Sequence, residues 1–211
     1  MELYFSPLAC SMATRIALYE ARVDASYIEV DSKTQLTRDG RSFRAINPLG
    51  LVPALRTDDG DILTESAAIL QYVADRNPEA GLAPPGGGMQ RVQLQRWLCF
   101  IGTELHQALF VPLLDAKAPE GAKSYALDKG SARLDYLQSH LSAREYLLDR
   151  FSVADAYLVT VLGWSRATPL ELKQWPVLST YVTRLRERPS VSRAFAEELA
   201  LYSLELARRK A

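Results

Sequence analysis

The sequence has few cysteines and no net charge. Its two cysteines, Cys10 and Cys99, form no disulfide framework and show no repeated metal-ligand spacing, so we expect no structural disulfides and no metal site. Lysine plus arginine equal aspartate plus glutamate at 25 each, which leaves no field to attract nucleic acid or an anionic membrane. No apolar run is expected to span a bilayer, and no basic segment with a long apolar run opens the chain. These absences favour a cytoplasmic protein that binds neither nucleic acid nor membrane.

The densest group of chain-breaking residues divides the sequence into two parts. Asn77-Pro78 and the Pro-Pro-Gly-Gly-Gly run at 84–88 end all strand character. The part before them follows the order β-α-β-α-β-β-α, with an antiparallel hairpin turning at Asp58-Asp59-Gly60. Helical periodicity dominates from Met89 onward. The predicted class is α+β, with an N-terminal domain over 1–79, a linker over 80–89 and an all-α helical bundle over 90–211.

Caps and prolines mark the helix starts of the second part. A long apolar pattern runs from Gln90 to Leu109. Ser152 and Asp155 form a capping box that opens a buried helix, and we expect them to serve folding rather than chemistry. Pro176 begins another helix at its first turn, and Ser190 caps the last one.

Pro53 stands at the entry to the hairpin, where proline suits a strand start, an edge or a bulge. Its neighbour Val52 would keep an unpaired amide and carbonyl, which can pair with an extended peptide laid antiparallel beside it. Ser66 begins a helical pattern, and the free N–H groups and positive partial charge of a helix N-terminus favour a carboxylate. Glu65 can take an ammonium. These four residues describe a site for a small zwitterionic peptide.

The same residues carry a family resemblance. Val52-Pro53 followed by Thr64-Glu65-Ser66, after a first strand and the segment Ser6-Pro-Leu-Ala-Cys10, resembles the glutathione-binding domain of cytosolic glutathione transferases. The Cys10 pattern is similar to the bacterial beta class. The resemblance implies a thioredoxin-like N-terminal domain, a helical domain that carries an electrophile site, glutathione as co-substrate, a homodimer and a role in detoxification.

Cys10 is the candidate catalytic thiol, at the start of a helical pattern. A free thiol with a pKa of about 8.5 is only a few per cent ionised at neutral pH, so its surroundings must lower the pKa. A helix N-terminus supplies about 0.3–1 kcal/mol, short of the roughly 2.7 kcal/mol for two pKa units, so a hydrogen-bond donor is needed. Ser11 could donate through its hydroxyl or amide. Tyr4 and Ser6 are competing activators, although Tyr4 lies in the strand pattern and is expected in the core.

One helix face of the second part carries small and polar residues. Cys99, Gly102, Thr103 and His106 are spaced i, i+3, i+4 and i+7, so they share one side. From the residues alone, His106 is more simply a structural histidine. The resemblance implies that His106 lies close to Cys10 and glutathione, and that Thr103 and Cys99 border the same site.

Two positions depart from the beta-class pattern. Gln35 stands where relatives usually carry a lysine, with Lys33 two residues away. Cys99 stands where they carry an asparagine that reaches glutathione across a dimer interface. Both changes weaken the case for tight glutathione binding, while the contacts expected of Ser66 and Glu65 are kept.

Three functions are compatible with these features. The first is conjugation of glutathione to small hydrophobic electrophiles, with Cys10 near the glutathione sulfur and the electrophile near Leu8, Phe110, Val111 and Trp164. The second is glutathione-dependent thiol-disulfide exchange with Cys10 as the attacking group. The third is a non-catalytic scaffold that binds a ligand or a protein, since fold alone does not decide function.

Overall fold

A computed structural model describes residues 1–208 and divides into two compact units. The first unit holds residues 1–82 together with helix α8 (Pro189–Arg208), and the second holds residues 83–188. The division falls inside the predicted linker over 80–89. Helix α8 groups with the first unit because it packs on helix α1, whereas the sequence prediction assigned 90–211 to the helical domain. Residues 209–211 lie outside the described residues.

The first unit is built on a four-stranded mixed sheet in the order β2-β1-β3-β4. Strands β1 (Glu2–Phe5) and β2 (Ser26–Glu29) are parallel. Strand β3 (Ala54–Arg56) pairs antiparallel with both β1 and β4 (Ile62–Thr64), which confirms the predicted hairpin. Helix α1 (Ser11–Glu20) links β1 to β2, and helix α2 (Ser66–Arg76) follows β4. This is a thioredoxin-like arrangement.

Both faces of this sheet carry buried side chains, because successive strand residues point to opposite sides. Tyr4, Val30, Phe43 and Ala54 form a buried cluster on one face. Phe43 comes from a single 3-10 turn, Phe43–Ala45, which stands where a helix was predicted between β2 and β3. On the other face, Phe5 packs against Arg15 of α1.

The second unit begins with one long helix of changing pitch. Helix α3 (Met89–Phe100) runs into a π-helical segment, Ile101–Phe110, and then into helix α4 (Val111–Leu114). The sequence predicted a plain α-helix over 90–109 and missed the wide turns. Pro112 cannot donate a hydrogen bond and its ring crowds the carbonyl four residues earlier, which favours a local change of helical hydrogen bonding.

The continuous helix Met89–Leu114 is long and apolar enough to cross a bilayer by length and composition. This corrects the expectation that no run in the chain reaches that length. Core helices of globular units pass the same test, and this helix contacts α5 (Glu120–Leu141) and α6 (Val153–Gly163). Its buried apolar side chains are those of Leu94, Trp97, Leu98, Ile101, Leu105, Leu109, Phe110 and Leu113.

Three further helix starts were predicted from local signals, and two of these predictions are confirmed. The predicted capping box of Ser152 and Asp155 is present at the start of α6. Helix α7 (Pro176–Arg186) begins at the predicted proline. Helix α8 already begins at Pro189, so Ser190 lies inside its first turn rather than at the cap, and its hydroxyl donates to Glu20 of α1.

Candidate functional site

Cys10 occupies the N-cap position of α1, and only 9% of the residue is exposed. Its thiol donates to the Val52 carbonyl oxygen at 3.2 Å. The Ser66 side chain lies close enough to the sulfur to lower the pKa of the thiol. The structure therefore brings together the cysteine, the residue before Pro53 and the first residue of α2, three features that lie far apart in the sequence.

The pKa of the Cys10 thiol is raised to about 11, chiefly because burial disfavours the thiolate. Hydrogen bonds from Ser66 and from the backbone amides of Cys10 and Ser11 lower the pKa, and the charge of Glu198 raises it further. The expectation that the surroundings lower this pKa is wrong, because the cost of desolvation outweighs the hydrogen-bond donors at the helix start.

The peptide bond between Val52 and Pro53 is cis, and Pro53 is buried directly before β3. Asn47 stabilises the loop that precedes this bond, because its side-chain amide donates to the Leu51 carbonyl at 2.7 Å. The Val52 carbonyl already accepts the Cys10 thiol. A carbonyl oxygen has two lone pairs, so the same oxygen can also accept from a peptide laid beside the strand.

Ser66 is the first residue of α2 and is 7% exposed, while the N-cap residue Glu65 is exposed. Glu65 has φ +68°, in the left-handed region that side-chain-bearing residues seldom adopt. Its carbonyl accepts the amides of Ala68 and Ile69, both at 3.0 Å. Backbone of this kind persists mainly where function requires it, and here it turns the chain into α2 beside Cys10.

The competing activators are engaged in local structure. The Ser11 hydroxyl donates to the Ser6 carbonyl at 3.3 Å, and the Ser6 hydroxyl donates to the Val30 carbonyl at 2.7 Å. Tyr4 has no exposed surface and lies in the core cluster, as predicted. Of these residues, Ser11 acts on the Cys10 thiol through its backbone amide.

Gln35 lies in the connection between β2 and β3, which also contains Val52. Its backbone has φ +59°, and its side-chain amide donates to the Ser32 carbonyl at 2.9 Å. The side-chain oxygen Oε1 of Gln35 lies against Gly50. A Cβ added to Gly50 would be only 2.2 Å from this oxygen. Within residues 1–208, this oxygen has no hydrogen-bond partner. A glutathione contact of Gln35 stays a prediction.

The candidate residues of the second unit lie along one helix. The Thr103 hydroxyl donates to the Cys99 carbonyl at 3.0 Å, and Cys99 is exposed. His106 lies in the π-helical segment with its Nδ1 2.7 Å from the Tyr157 hydroxyl and its ring 4.9 Å from that of Trp164. Burial lowers the pKa of His106 to about 4, so the imidazole is neutral at physiological pH.

Phe110 extends this ring cluster, with its centroid 5.9 Å from that of Trp164, whereas Val111 is 40% exposed. The contacts of Cys10 described above lie in the first unit, and those of His106 lie in the second. The pairing of His106 with Cys10, and glutathione contacts from Thr103 and Cys99, stay predictions.

Both parts of the chain match known family models. Residues 9–76 match the family described as glutathione S-transferase, N-terminal domain, and residues 100–189 match glutathione S-transferase, C-terminal domain. The chain belongs to the glutathione S-transferase family. Glutathione S-transferase GstA of Escherichia coli O157:H7 is 38% identical over 199 residues, covering 94% of this transferase and 98% of the relative.

Solved structures give the same result for the transferase. A sphingomonad glutathione S-transferase complexed with glutathione is 41% identical, with a TM-score of 0.90 over 94% of this chain and 98% of that one. A bacterial beta class glutathione S-transferase from Sphingomonas chungbukensis is 40% identical, with the same TM-score and coverage. The likeness to the beta class predicted from the Cys10 pattern is confirmed.

A buried charge cluster of this transferase was missed by the sequence reasoning. Arg15 is 3% exposed and Glu198 is 0% exposed. Arg15 Nε lies 2.9 Å from Glu198 Oε1, and the Leu8 amide donates to Glu198 Oε2 at 2.7 Å. A signal was present, because Glu198 follows Val191 and Ala194 at helical spacing on the apolar face of α8. A carboxylate on such a face needs a buried partner.

Proposed function

We propose that this transferase conjugates glutathione to small hydrophobic electrophiles, with Cys10 near the glutathione sulfur. One observation carries the proposal: the Cys10 thiol, the Val52 carbonyl and the Ser66 side chain meet at one place in the first unit. Val52 can pair with an extended tripeptide, and the start of α2 can bind a carboxylate. Glu65, exposed beside Ser66, is assigned to the ammonium.

The proposed chemistry forms a carbon–sulfur bond between the glutathione thiolate, which has released its proton, and an electrophilic carbon. With a chlorinated nitrobenzene the carbon–chlorine bond breaks, and chloride leaves with the bonding electrons. Three groups lower the pKa of the Cys10 thiol, namely the Ser66 hydroxyl and the amides of Cys10 and Ser11. We propose that the same groups also donate to the glutathione sulfur. Stabilising the thiolate electrostatically and holding both reactants close would lower the barrier. We assign the electrophile to the second unit, beside the rings of His106, Phe110 and Trp164.

Cys10 takes the part of a neutral thiol in this proposal. With its pKa raised to about 11 by burial, Cys10 stays protonated at neutral pH. Its single S–H donates to the Val52 carbonyl in the structure and would turn from that oxygen to donate to the sulfur of glutathione. Thiol-disulfide exchange requires the thiolate as attacking group, so the raised pKa favours conjugation over exchange through Cys10.

We also propose that the transferase acts as a cytoplasmic homodimer. Leu49 and Leu51 are 65% and 62% exposed, on the loop that Asn47 holds before Val52. Exposed apolar side chains on an ordered loop are suited to anchor an interface.

The proposal is tested by titrating glutathione into the protein by calorimetry and by measuring conjugation of a chlorinated nitrobenzene. Ser66→Ala should weaken glutathione binding about tenfold or more, the size expected for a hydrogen bond to a charged group. Cys10→Ala should lower the rate of conjugation. Ser203→Ala is the matched control, because Ser203 is exposed on α8 and its hydroxyl donates only to the turn before it.

Unchanged affinity in Ser66→Ala together with full conjugation in Cys10→Ala would contradict the proposal. Intact mass after incubation with oxidised glutathione separates the alternative activity. An adduct of one tripeptide on Cys10, releasable by reductant, would instead support thiol-disulfide exchange. Absence of both glutathione binding and turnover in the wild type would support the non-catalytic scaffold.

A further inference from the structure

The segment between β1 and α1 is held at its centre by a residue from the far end of the chain. Leu8 has φ +61°, and its amide donates at 2.7 Å to Oε2 of Glu198, 190 residues later. The Ala9 amide donates to the Ser6 carbonyl at 3.1 Å and closes the turn. Cys10 follows two residues after Leu8, so Glu198 acts on the backbone that carries the thiol into place.

Glu198 is itself fixed by a buried cation. The Arg15 guanidinium lies between the rings of Phe5 and Tyr27, 4.2 Å from each centroid, and is in ion-pair contact with Glu198 at 2.9 Å and with Glu197 at 3.1 Å. Glu198 has no exposed surface, whereas the Glu197 side chain is 38% exposed. One buried arginine therefore serves two carboxylates, of which only Glu198 also reaches the loop.

We propose that Glu198 is a positioning residue for Cys10: its carboxylate holds the loop backbone at Leu8 and its negative charge acts on the Cys10 thiol. This inference rests on the proposed role of Cys10 in the function above. The geometry couples the two groups through a short stretch of backbone. The Glu198 carboxylate binds the amide of Leu8, and the thiol belongs to Cys10, two residues later at the N-cap of α1.

The charges around Glu198 make this coupling depend on pH. Burial raises the pKa of Glu198 to about 7; the Arg15 charge and the Leu8 amide lower it, and Glu197 raises it. These groups face Glu198 from α1, from the loop and from α8. The charge of Glu198 in turn raises the pKa of Cys10. As pH rises through 7, Glu198 therefore loses its proton and the thiol becomes harder to ionise, so the two titrations are coupled.

The rate at which iodoacetamide alkylates Cys10 measures its thiolate fraction. We would measure it from pH 6 to 8.5 by peptide mass spectrometry, which separates Cys10 from Cys99. In the wild type, the logarithm of the rate should rise by less than one per pH unit through pH 7. Glu198→Gln keeps an oxygen for the Leu8 amide but no charge, so the slope should return to one. Its rate at pH 8 should be about three- to tenfold higher, equal to half to one pKa unit.

Glu197→Gln is the matched control, because it removes the neighbouring carboxylate from the same arginine without touching the loop. We expect it to keep a slope below one, displaced to slightly lower pH because the Glu197 charge raises the pKa of Glu198. Equal slopes in wild type and Glu198→Gln would overturn the proposal, and so would a rate raised by the same factor at every pH, which indicates only an opened loop. If Glu198→Gln does not fold, the double variant Arg15→Met with Glu198→Gln replaces it, because it removes both charges of the buried ion pair. The same slope of one is expected for the double variant. Alkylation needs no glutathione. If the slopes are as expected but the wild type does not bind glutathione, only the proposed function is refuted.

Discussion

The neutral ring of His106 follows from its surroundings. Burial is the cause of its lowered pKa, about 4, and Tyr157 and Trp164 supply much of the apolar wall. The Tyr157 hydroxyl, 2.7 Å from Nδ1, decides which nitrogen carries the proton. If the hydroxyl donates, the proton sits on Nε2, and His106 presents an N–H donor on its other side.

We predict that His106 stays neutral, with its proton on Nε2, from pH 8 down to about pH 5.5. Tyr157→Phe removes the partner of Nδ1 and should give a mixture of tautomers at pH 7. Long-range proton–nitrogen NMR of histidine side chains reports both properties. The chain has only two histidines, so the His140→Gln spectrum assigns the signals. A wild-type His106 signal that titrates near the ordinary histidine pKa of about 6.5 would show that the prediction is wrong.

At the scale of elements, the start of α6 shows how much one carboxylate can organise. Asp155 has no exposed surface. Its Oδ2 accepts the Ser152 amide at 2.9 Å and the Ser152 hydroxyl at 2.8 Å, while its Oδ1 accepts the Leu147 amide at 2.9 Å and the Tyr181 hydroxyl at 2.7 Å. The capping box thus also ties α6 to the loop before it and to α7.

Asp155→Asn should destabilise the protein by about 2–6 kcal/mol. The asparagine side chain has one accepting oxygen, whereas the carboxylate has two. The two buried donors on the second oxygen would therefore face an NH₂ group, and each lost hydrogen bond costs roughly 1–3 kcal/mol. Ser152→Ala removes only the cap and should cost about 0.5–2 kcal/mol. Denaturant unfolding measures both values, with exposed Asp149→Asn as the control expected within about 0.5 kcal/mol of the wild type. A smaller loss in Asp155→Asn than in Ser152→Ala would contradict the network.

The elements that could be predicted are those whose signals are local. The hairpin at Asp58-Asp59-Gly60, the capping box and the start of α7 depend on residues within about four positions of each other. The contact of Glu198 with Leu8 spans 190 residues. The apolar spacing around Glu198 signals a buried carboxylate, but it does not identify Leu8 as the partner. The π-helical segment depends on a choice between similar hydrogen-bonding patterns, which apolar periodicity does not resolve.

The candidate site divides in the same way. The proposed roles of Val52 and Ser66 follow from a proline at a strand start and from a helix N-terminus, both of which the sequence shows. The raised pKa of Cys10 could not, because burial depends on packing around the thiol. Of the residues grouped by family resemblance, the structure brings Cys10, Val52 and Ser66 together, and the environment of the thiol required the structure.

At the scale of the whole molecule, two of the exposed leucines lie together on one loop. Single exposed apolar residues are ordinary, but Leu49 and Leu51 lie two positions apart on an ordered loop. Asn47 accepts the Leu49 amide at 3.2 Å and donates to the Leu51 carbonyl at 2.7 Å, so little conformational freedom is left to lose on association. A net charge of zero also means that two copies of the chain do not repel each other strongly.

We predict that the wild type sediments as a dimer of about twice the 23.5 kDa of one chain, and that Leu49→Glu with Leu51→Glu shifts it to the monomer. Burying two unpaired carboxylates in an apolar contact costs several kcal/mol, enough to raise the dissociation constant by a hundredfold or more. Leu204→Glu is the control, because Leu204 is 56% exposed on α8 and is not assigned to the interface. Sedimentation velocity across a concentration series separates the outcomes. A monomeric wild type would refute the homodimer, whereas a double variant that stays dimeric would move the interface away from this loop, since charges cannot be buried there without cost.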